Sequence, residues 1–368
     1  MPLFCPAGKA YPLPMTLLGS NAMTKSSTFS LSLILALSLV ACGGGGDGDS
    51  TAVVPATYVP GSAELGAWNV LSDARTLCGF DGSDPLVKLA RNAKLDAAAL
   101  SHSKYLVDLS FATGASILSH LETPGTPGFT GVYPWNRAVY QGYDYKALAE
   151  ILEATVWDYT SAPVFPTMEE RGAGSMRSLL NTVYHLSGAM YEGADVGFGA
   201  YLKTTMINAT TWREEYRFGS LNGFEDTSRH ITLGTNKVAT YPCQGSSNIP
   251  PKFLPADESP NPFLGTGYAS AIVGPPIYLK VDAPQLITVN PLSSSITQNG
   301  MTVPFVVMTH SNDPNEDPIN GEPYIHTNEA FVIPTVALNP GTNYLVTLNG
   351  TINNVAFSRS FTMSTGSR

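Results

Sequence analysis

The sequence predicts an α+β domain followed by a smaller all-β domain. Three observations carry this reading. Between Gly61 and Tyr191 the apolar residues recur at helical spacing, and from Asp195 the period switches to two. After Tyr241 no helical period remains, only short apolar runs broken by Pro and Gly. Helices first and antiparallel strands after argue for an α+β unit, and evenly spaced short strands suggest a small β-sandwich.

The elements follow in order. Gly61 to Leu77 reads as a helix with Leu65, Trp68, Leu71 and Ala74 three apart, capped by Ser62 and ended at Gly79. A second helix from about Leu86 to Leu109 lines up Leu95, Ala98, Ala99, His102, Tyr105 and Leu106 on one stripe. His102 on that stripe reads as a hydrogen-bonded core histidine. A Gly/Pro-rich loop from Gly114 to Tyr133 carries His120, where packing gives little reason for an imidazole. A short helix from Pro134 to about Tyr140 follows, with Arg137 as a structural donor. Ala147 to Tyr159 reads as a third helix, placing Glu150 and Glu153 on one face. A poorly periodic stretch from Thr160 to Gly174 leads to a fourth helix, about Ser175 to Tyr191, that carries His185 near the edge of its apolar face.

Strands are expected at Asp195 to Leu202, Arg213 to Phe218, Ile231 to Leu233 and Lys237 to Tyr241, the last two joined at Gly234-Thr235-Asn236. In the tail they are expected at Ile277 to Val281, Gln285 to Val289, Val303 to Val307, Phe331 to Ile333, Tyr344 to Leu348 and Val355 to Met363. Pro340-Gly341 is a turn feeding a strand, and Asn349-Gly350 is a hairpin signal.

The first forty-odd residues read as targeting rather than fold. Residues 1–22 have no signal character and are read as an over-extended start. Met23-Thr24-Lys25 and the apolar run Phe29 to Val40 have the form of a signal peptide, too short to span a bilayer with comfort. The run ends in Leu39-Val40-Ala41-Cys42, which resembles the bacterial lipobox, so residues 23–42 are the expected lipoprotein signal and Cys42 the lipidated residue. Residues 43–60, opening on four glycines, form a flexible tether. Gly43 lacks the Asp that retains lipoproteins at the inner membrane, which favours the outer membrane, on its periplasmic or surface side.

A net charge of -9 and a pI near 5.1 argue against a nucleic-acid partner. With Cys5 in the leader and Cys42 lipidated, Cys78 and Cys243 are the pair left in an oxidising compartment. A disulfide between them is expected, the alternative being two buried thiols.

Three polar side chains punctuate the helical part: His120, Glu150 and His185. Two imidazoles and a carboxylate from separate elements could form a polar cavity, a metal site or an acid/base site. His/His/Glu can hold zinc, although the His-Glu-x-x-His spacing of a zinc protease is missing. No Gly-x-Ser-x-Gly motif and no thiol left after pairing offers a nucleophile, so covalent catalysis is unsupported and enzyme activity stays open.

Several of these pieces, taken in register, resemble one family. They are Ala98-Ala99-Leu100-Ser101-His102-Ser103, Ser119-His120, Asn136-Arg137-Ala138 before Gly142-Tyr143, Ala149-Glu150-Ile151, Tyr184-His185 and Val196-Gly197-Phe198-Gly199. Together they resemble the bacterial secreted branch of the CAP superfamily (cysteine-rich secretory, antigen 5 and pathogenesis-related proteins, or SCP domain), over about Gly61 to Tyr241. The resemblance implies a three-layer α-β-α sandwich and a cavity lined by two His and two acidic residues, which binds divalent cations in some members. It assigns His120 and His185 to the histidines and Glu150 to one acid, although the family's Gly-Glu-Asn is here Ala-Glu-Ile. The second acid has no clear match, and Glu122 or Glu153 are the candidates. The tail resembles the Ig-like modules of exported bacterial proteins. The domains expected are thus a CAP-like unit over 61–241 and an Ig-like sandwich over 242–368.

The favoured function is a lipid-anchored binding module whose His/His/Glu cavity holds a small apolar or lipidic ligand or an envelope component. The alternatives are a metal-dependent envelope hydrolase, with a divalent cation such as zinc as its cofactor, and an adhesive surface protein with a vestigial cavity.

Overall fold

The computed structural model describes residues 3–5 and 57–367. The signal segment, Cys42 and the tether as far as residue 56 lie outside the described residues. The chain is a mixed α/β fold rich in antiparallel sheet.

The first part runs through β1 (Leu3–Cys5), α1 (Ala63–Cys78), β2 (Ala90–Arg91), α2 (Ala93–Thr113), α3 (Pro134–Tyr140), β3 (Ala147–Tyr159), α4 (Met168–Leu179), α5 (Tyr184–Ala189), β4 (Asp195–Met206) and β5 (Trp212–Phe224). Its sheet has the order β1-β3-β5-β4-β2. Beyond it come β6 (Ala239–Tyr241), β7 (Ile277–Lys280), β8 (Ile287–Val289), β9 (Ser295–Gln298), β10 (Met301–Val303), β11 (Phe305–Thr309), β12 (Glu329–Pro334), β13 (Asn343–Ile352) and β14 (Val355–Ser364). These make two further sheets, β11-β12-β7-β6 and β10-β9-β13-β14, with β8 also on β13.

Local chemistry sets the helix limits. Ser62 accepts from the Leu65 amide and Gly79 closes α1 in the left-handed region, as the sequence predicts. The second helix starts later than expected, at Ala93, because Asn92 caps it and Ala90–Arg91 pair in parallel with β4.

Ala147–Tyr159 corrects the sequence reading: the predicted helix is a thirteen-residue strand. Its first half lies between β1 and β5 with Ala147 to Leu152 all buried. A strand buried on both faces carries a continuous apolar run, which periodicity alone cannot tell from a helix. Glu150 and Glu153 are therefore on opposite faces, because side chains alternate along a strand. The expected fourth helix is also two helices, α4 from a Thr167/Glu170 capping box and then α5, with Leu180 to Val183 between them. Ile231 to Leu233 is not a strand, and β6 pairs with β7 instead of forming a hairpin there.

Helices cover both faces of the first sheet. Gly197 and Gly199 of β4 lie against α2 so closely that a Cβ at Gly199 would sit 2.0 Å from the Leu100 amide. On the opposite face Val196 and Phe198 share a core with Leu71 of α1, Met176 and Leu179 of α4, and Phe218 of β5.

That same core continues into the second part. Tyr278 of β7, Phe331 and Ile333 of β12, and Met308 of β11 belong to it. The alternate residues Leu279, Ala330 and Val332 point into a second core shared with Ile296, Val346, Leu348 and Phe361. The β11-β12-β7-β6 sheet thus has apolar packing on both faces. The predicted disulfide is present: Cys78, the last residue of α1, is bonded to Cys243 just beyond β6.

Candidate functional site

The loop after α2 returns through Leu118 to Glu122 and places His120 beside β3. His120 Nδ1 lies 2.7 Å from Glu150 Oε1. Arg137, on the short helix α3, donates from one nitrogen to both Glu150 oxygens at 2.7 Å and from the other to the His120 carbonyl at 2.9 Å. Arg137 is fully buried and Glu150 nearly so. Burial alone would raise the Glu150 carboxyl, but the Arg137 guanidinium, aided by His102 and the His120 hydrogen bond, holds it at about 2. Burial acts the other way on His120 and pushes its imidazole down to about 3, despite the carboxylate beside it.

This fixes the tautomer. A neutral His120 next to an ionised Glu150 must donate from Nδ1, which leaves the lone pair on Nε2.

His185 is the second residue of α5, and its partner comes from far along the chain. Glu258, at the end of the 3-10 turn Pro255–Asp257, accepts from the amides of Val183, Tyr184 and His185 at 2.8, 2.7 and 3.2 Å. Its Oε1 lies 3.1 Å from His185 Nδ1. The Thr182 hydroxyl donates to the Leu179 carbonyl and sits 3.0 Å from the same Nδ1, so it too acts there as an acceptor. Both histidines therefore carry the proton on Nδ1, each held by a buried carboxylate. Burial lowers the His185 imidazole, and a proton on His185 would further disfavour one on His120.

Glu258, which the sequence did not single out, is the carboxylate that holds His185. The two candidates named for the second acid sit elsewhere. Glu122 pairs with His102 at 2.9 Å and accepts from the Thr130 and Gly131 amides, so it ties the loop to α2. His102, wholly buried, also reaches the Ser119 carbonyl at 2.8 Å, the core role expected of it. Glu153 faces the other side of the sheet, where burial raises its carboxyl against hydrogen bonds from Ser175 and Ser178. No signal of periodicity or spacing marks Glu258, which lies in a proline-rich passage between strands.

The proposed His120/Glu150/His185 metal set does not fit this geometry. Both Glu150 oxygens are committed to Arg137, and one also to His120. That leaves two imidazoles, fewer than the three protein ligands a catalytic zinc usually has. Among the described residues no group of three or more His, Cys, Asp or Glu side chains is placed to hold a metal ion.

Beside His120 is a cavity of about 340 Å³. Leu118, Leu121, Tyr133 and Leu152 supply its apolar wall, and Pro318 and Ile319 of the second part close it. Ser259, next to Glu258, and Ser119 add polar groups. Its volume is at the lower end of small-molecule sites, on the order of 300–1,000 Å³.

No family model matches the chain, and no curated protein or solved structure matches it.

Proposed function

We propose that this chain is an exported, lipid-anchored binding protein of CAP type, whose cavity takes a small apolar or lipidic ligand with a polar head. The observation that carries the reading is an apolar hollow with a neutral, carboxylate-oriented imidazole at its wall. An acyl or terpenoid body would be desolvated by Leu118, Leu121, Leu152 and Ile319. A hydroxyl or protonated carboxyl head would donate to the His120 Nε2 lone pair. The burial of Arg137 and Glu150 behind His120 makes that lone pair a fixed feature, which favours recognition over turnover.

Helices on both faces of the first sheet support the three-layer CAP-like architecture, and two facing sheets in the tail support the Ig-like comparison. The apolar run ending in Cys42 supports export and lipidation. Processing there would remove β1 and leave β3 as the sheet edge beside the site. The hydrolase reading has less behind it, since both Glu150 oxygens are spent on Arg137.

The test is a titration of the purified chain with dodecanoate and dodecanol, followed by calorimetry. Leu121→Glu, on a half-exposed wall residue, should weaken binding about tenfold or more, because it buries a charge against the ligand body. His120→Phe should remove the preference for a hydroxylated head. Equal binding by wild type and both variants, or none by wild type, would sink the reading.

A further inference from the structure

A second hollow, of about 680 Å³, lies among the start of β3, the loop after β5 and the segment Asn320 to Asn328. Three of the chain's six histidines line it: His230, His310 and His326. Of the other three, His120 and His185 belong to the site already described and His102 is buried beneath its loop. Two of the three in the hollow have internal partners, His310 the Ile325 carbonyl at 3.0 Å and His326 the Glu329 carboxylate at 3.5 Å.

Charge decides what this groove can hold. Glu192 is paired with Lys280 at 3.0 Å, and Lys280 also lies 3.5 Å from the buried Glu329. Glu329 in turn faces His326 Nδ1 at 3.5 Å and accepts from the Tyr278 and Ser187 hydroxyls. Lys146 has Asp226 within electrostatic reach, and Glu322 adds one more carboxylate to the rim. The two signs are interspersed and largely matched, so no field of one sign invites an ion.

What the groove does offer is ring faces and unmatched hydrogen-bonding capacity. The His230 imidazole lies tilted against Phe224 with centroids 5.0 Å apart and 36° between planes, His230 exposed and Phe224 buried. Tyr191 is a second aromatic wall. Among the described residues neither Lys146 Nζ nor the His230 ring has a hydrogen-bond or ion-pair partner. Thr227, Asn320 and Glu322 add donors and acceptors around the rim. An acyl chain would leave these polar groups unsatisfied. A sugar ring would lay its C–H face on an aromatic step while its hydroxyls donate and accept in turn.

We propose that the groove between β3, β5 and the Asn320–Asn328 segment binds a neutral oligosaccharide, with one ring seated on His230.

The experiment uses the full chain with three probes, chitohexaose, cellohexaose and maltohexaose, in calorimetric titration with saturation-transfer NMR. At least one should bind wild type. His230→Ala and Glu322→Ala should each weaken that binding about tenfold, and His230→Tyr, which keeps a ring, should restore most of it. His120→Phe should leave it unchanged. Both groove substitutions are on exposed side chains, and far-UV circular dichroism checks that they fold. The proposal is overturned if no probe binds at millimolar concentration, or if His120→Phe abolishes binding while His230→Ala does not. It is equally overturned if dodecanoate, and no saccharide, shows the dependence on His230.

Discussion

Glu258 and His185 are 73 residues apart, yet one carboxylate oxygen of Glu258 receives the His185 amide and lies beside its ring nitrogen. The carboxylate thus fixes both the start of α5 and the orientation of the imidazole. Replacing it by Gln keeps the shape and removes the charge. Glu258→Gln should lower stability by about 2–4 kcal/mol, since hydrogen bonds to a buried charge are worth more than neutral ones. Urea unfolding reads this directly, and a loss below about 0.5 kcal/mol, the range of ordinary surface substitutions, would contradict the role.

Arg137 and Glu150 form a buried ion pair with two 2.7 Å contacts. Arg137→Met should cost about 3–5 kcal/mol, because it strands a carboxylate in the interior. Adding Glu150→Gln to that variant should recover part of the loss. A double-mutant cycle with no coupling would refute the pairing.

Acid should destabilise the fold in two stages. His120 is held at about 3 when folded against about 6.5 when unfolded, so the unfolded chain binds the extra proton. The stability from a neutral His120 is thus full above about pH 6.5 and falls as pH drops towards 3. Lowered His185 adds to the same slope, at about 1.4 kcal/mol per pH unit for each proton. Glu150, held at about 2, adds a second loss as pH falls below its unfolded value near 4.5. Raised His326 works the other way, favouring the fold at lower pH and losing that contribution as pH rises through its folded value. Stability measured by denaturant should fall from pH 7 to pH 5, and His120→Asn with His185→Asn should flatten that arm. A wild-type profile level over this range would rule the account out.

Removing the disulfide, through Cys78→Ala with Cys243→Ala, should cost about 3–5 kcal/mol, since the bridge closes a loop of 165 residues. Reduction of the wild type should give a similar shift in the denaturation midpoint. An unchanged midpoint would mean that packing alone holds α1 to the second part.

Much of this fold was legible in the chain, for reasons that differ by element. α1 announced itself through Ser62 and Gly79, and the tail strands through apolar runs between Pro and Gly. β3 was misread because helices and neighbouring strands bury both its faces, although Thr155, Val156 and Trp157 were strand-favouring residues in plain view. The start of α4 was missed despite Thr167 and Glu170 at capping-box spacing. The hairpin expected at Asn349-Gly350 instead turns at Asn353-Asn354, both at positive φ. Gly350 serves a different need: a Cβ there would meet the Thr288 carbonyl of β8 at 1.9 Å. Of the three residues expected to share a hollow, His120 and Glu150 are in contact, while His185 is held by Glu258 and does not line the cavity beside His120. Glu258 could not be read, because its contact depends on a long-range fold rather than on any local pattern.

The sheet β11-β12-β7-β6, with a core on either side, has a consequence for inheritance. Recombination at Tyr241 that grafted an unrelated β module onto the helical part would strip away Tyr278 and Phe331, which complete the first core, and Glu258, which steadies His185. Each half would arrive unfinished. Such a gene should therefore pass between lineages whole, with its two parts changing in concert at the seam.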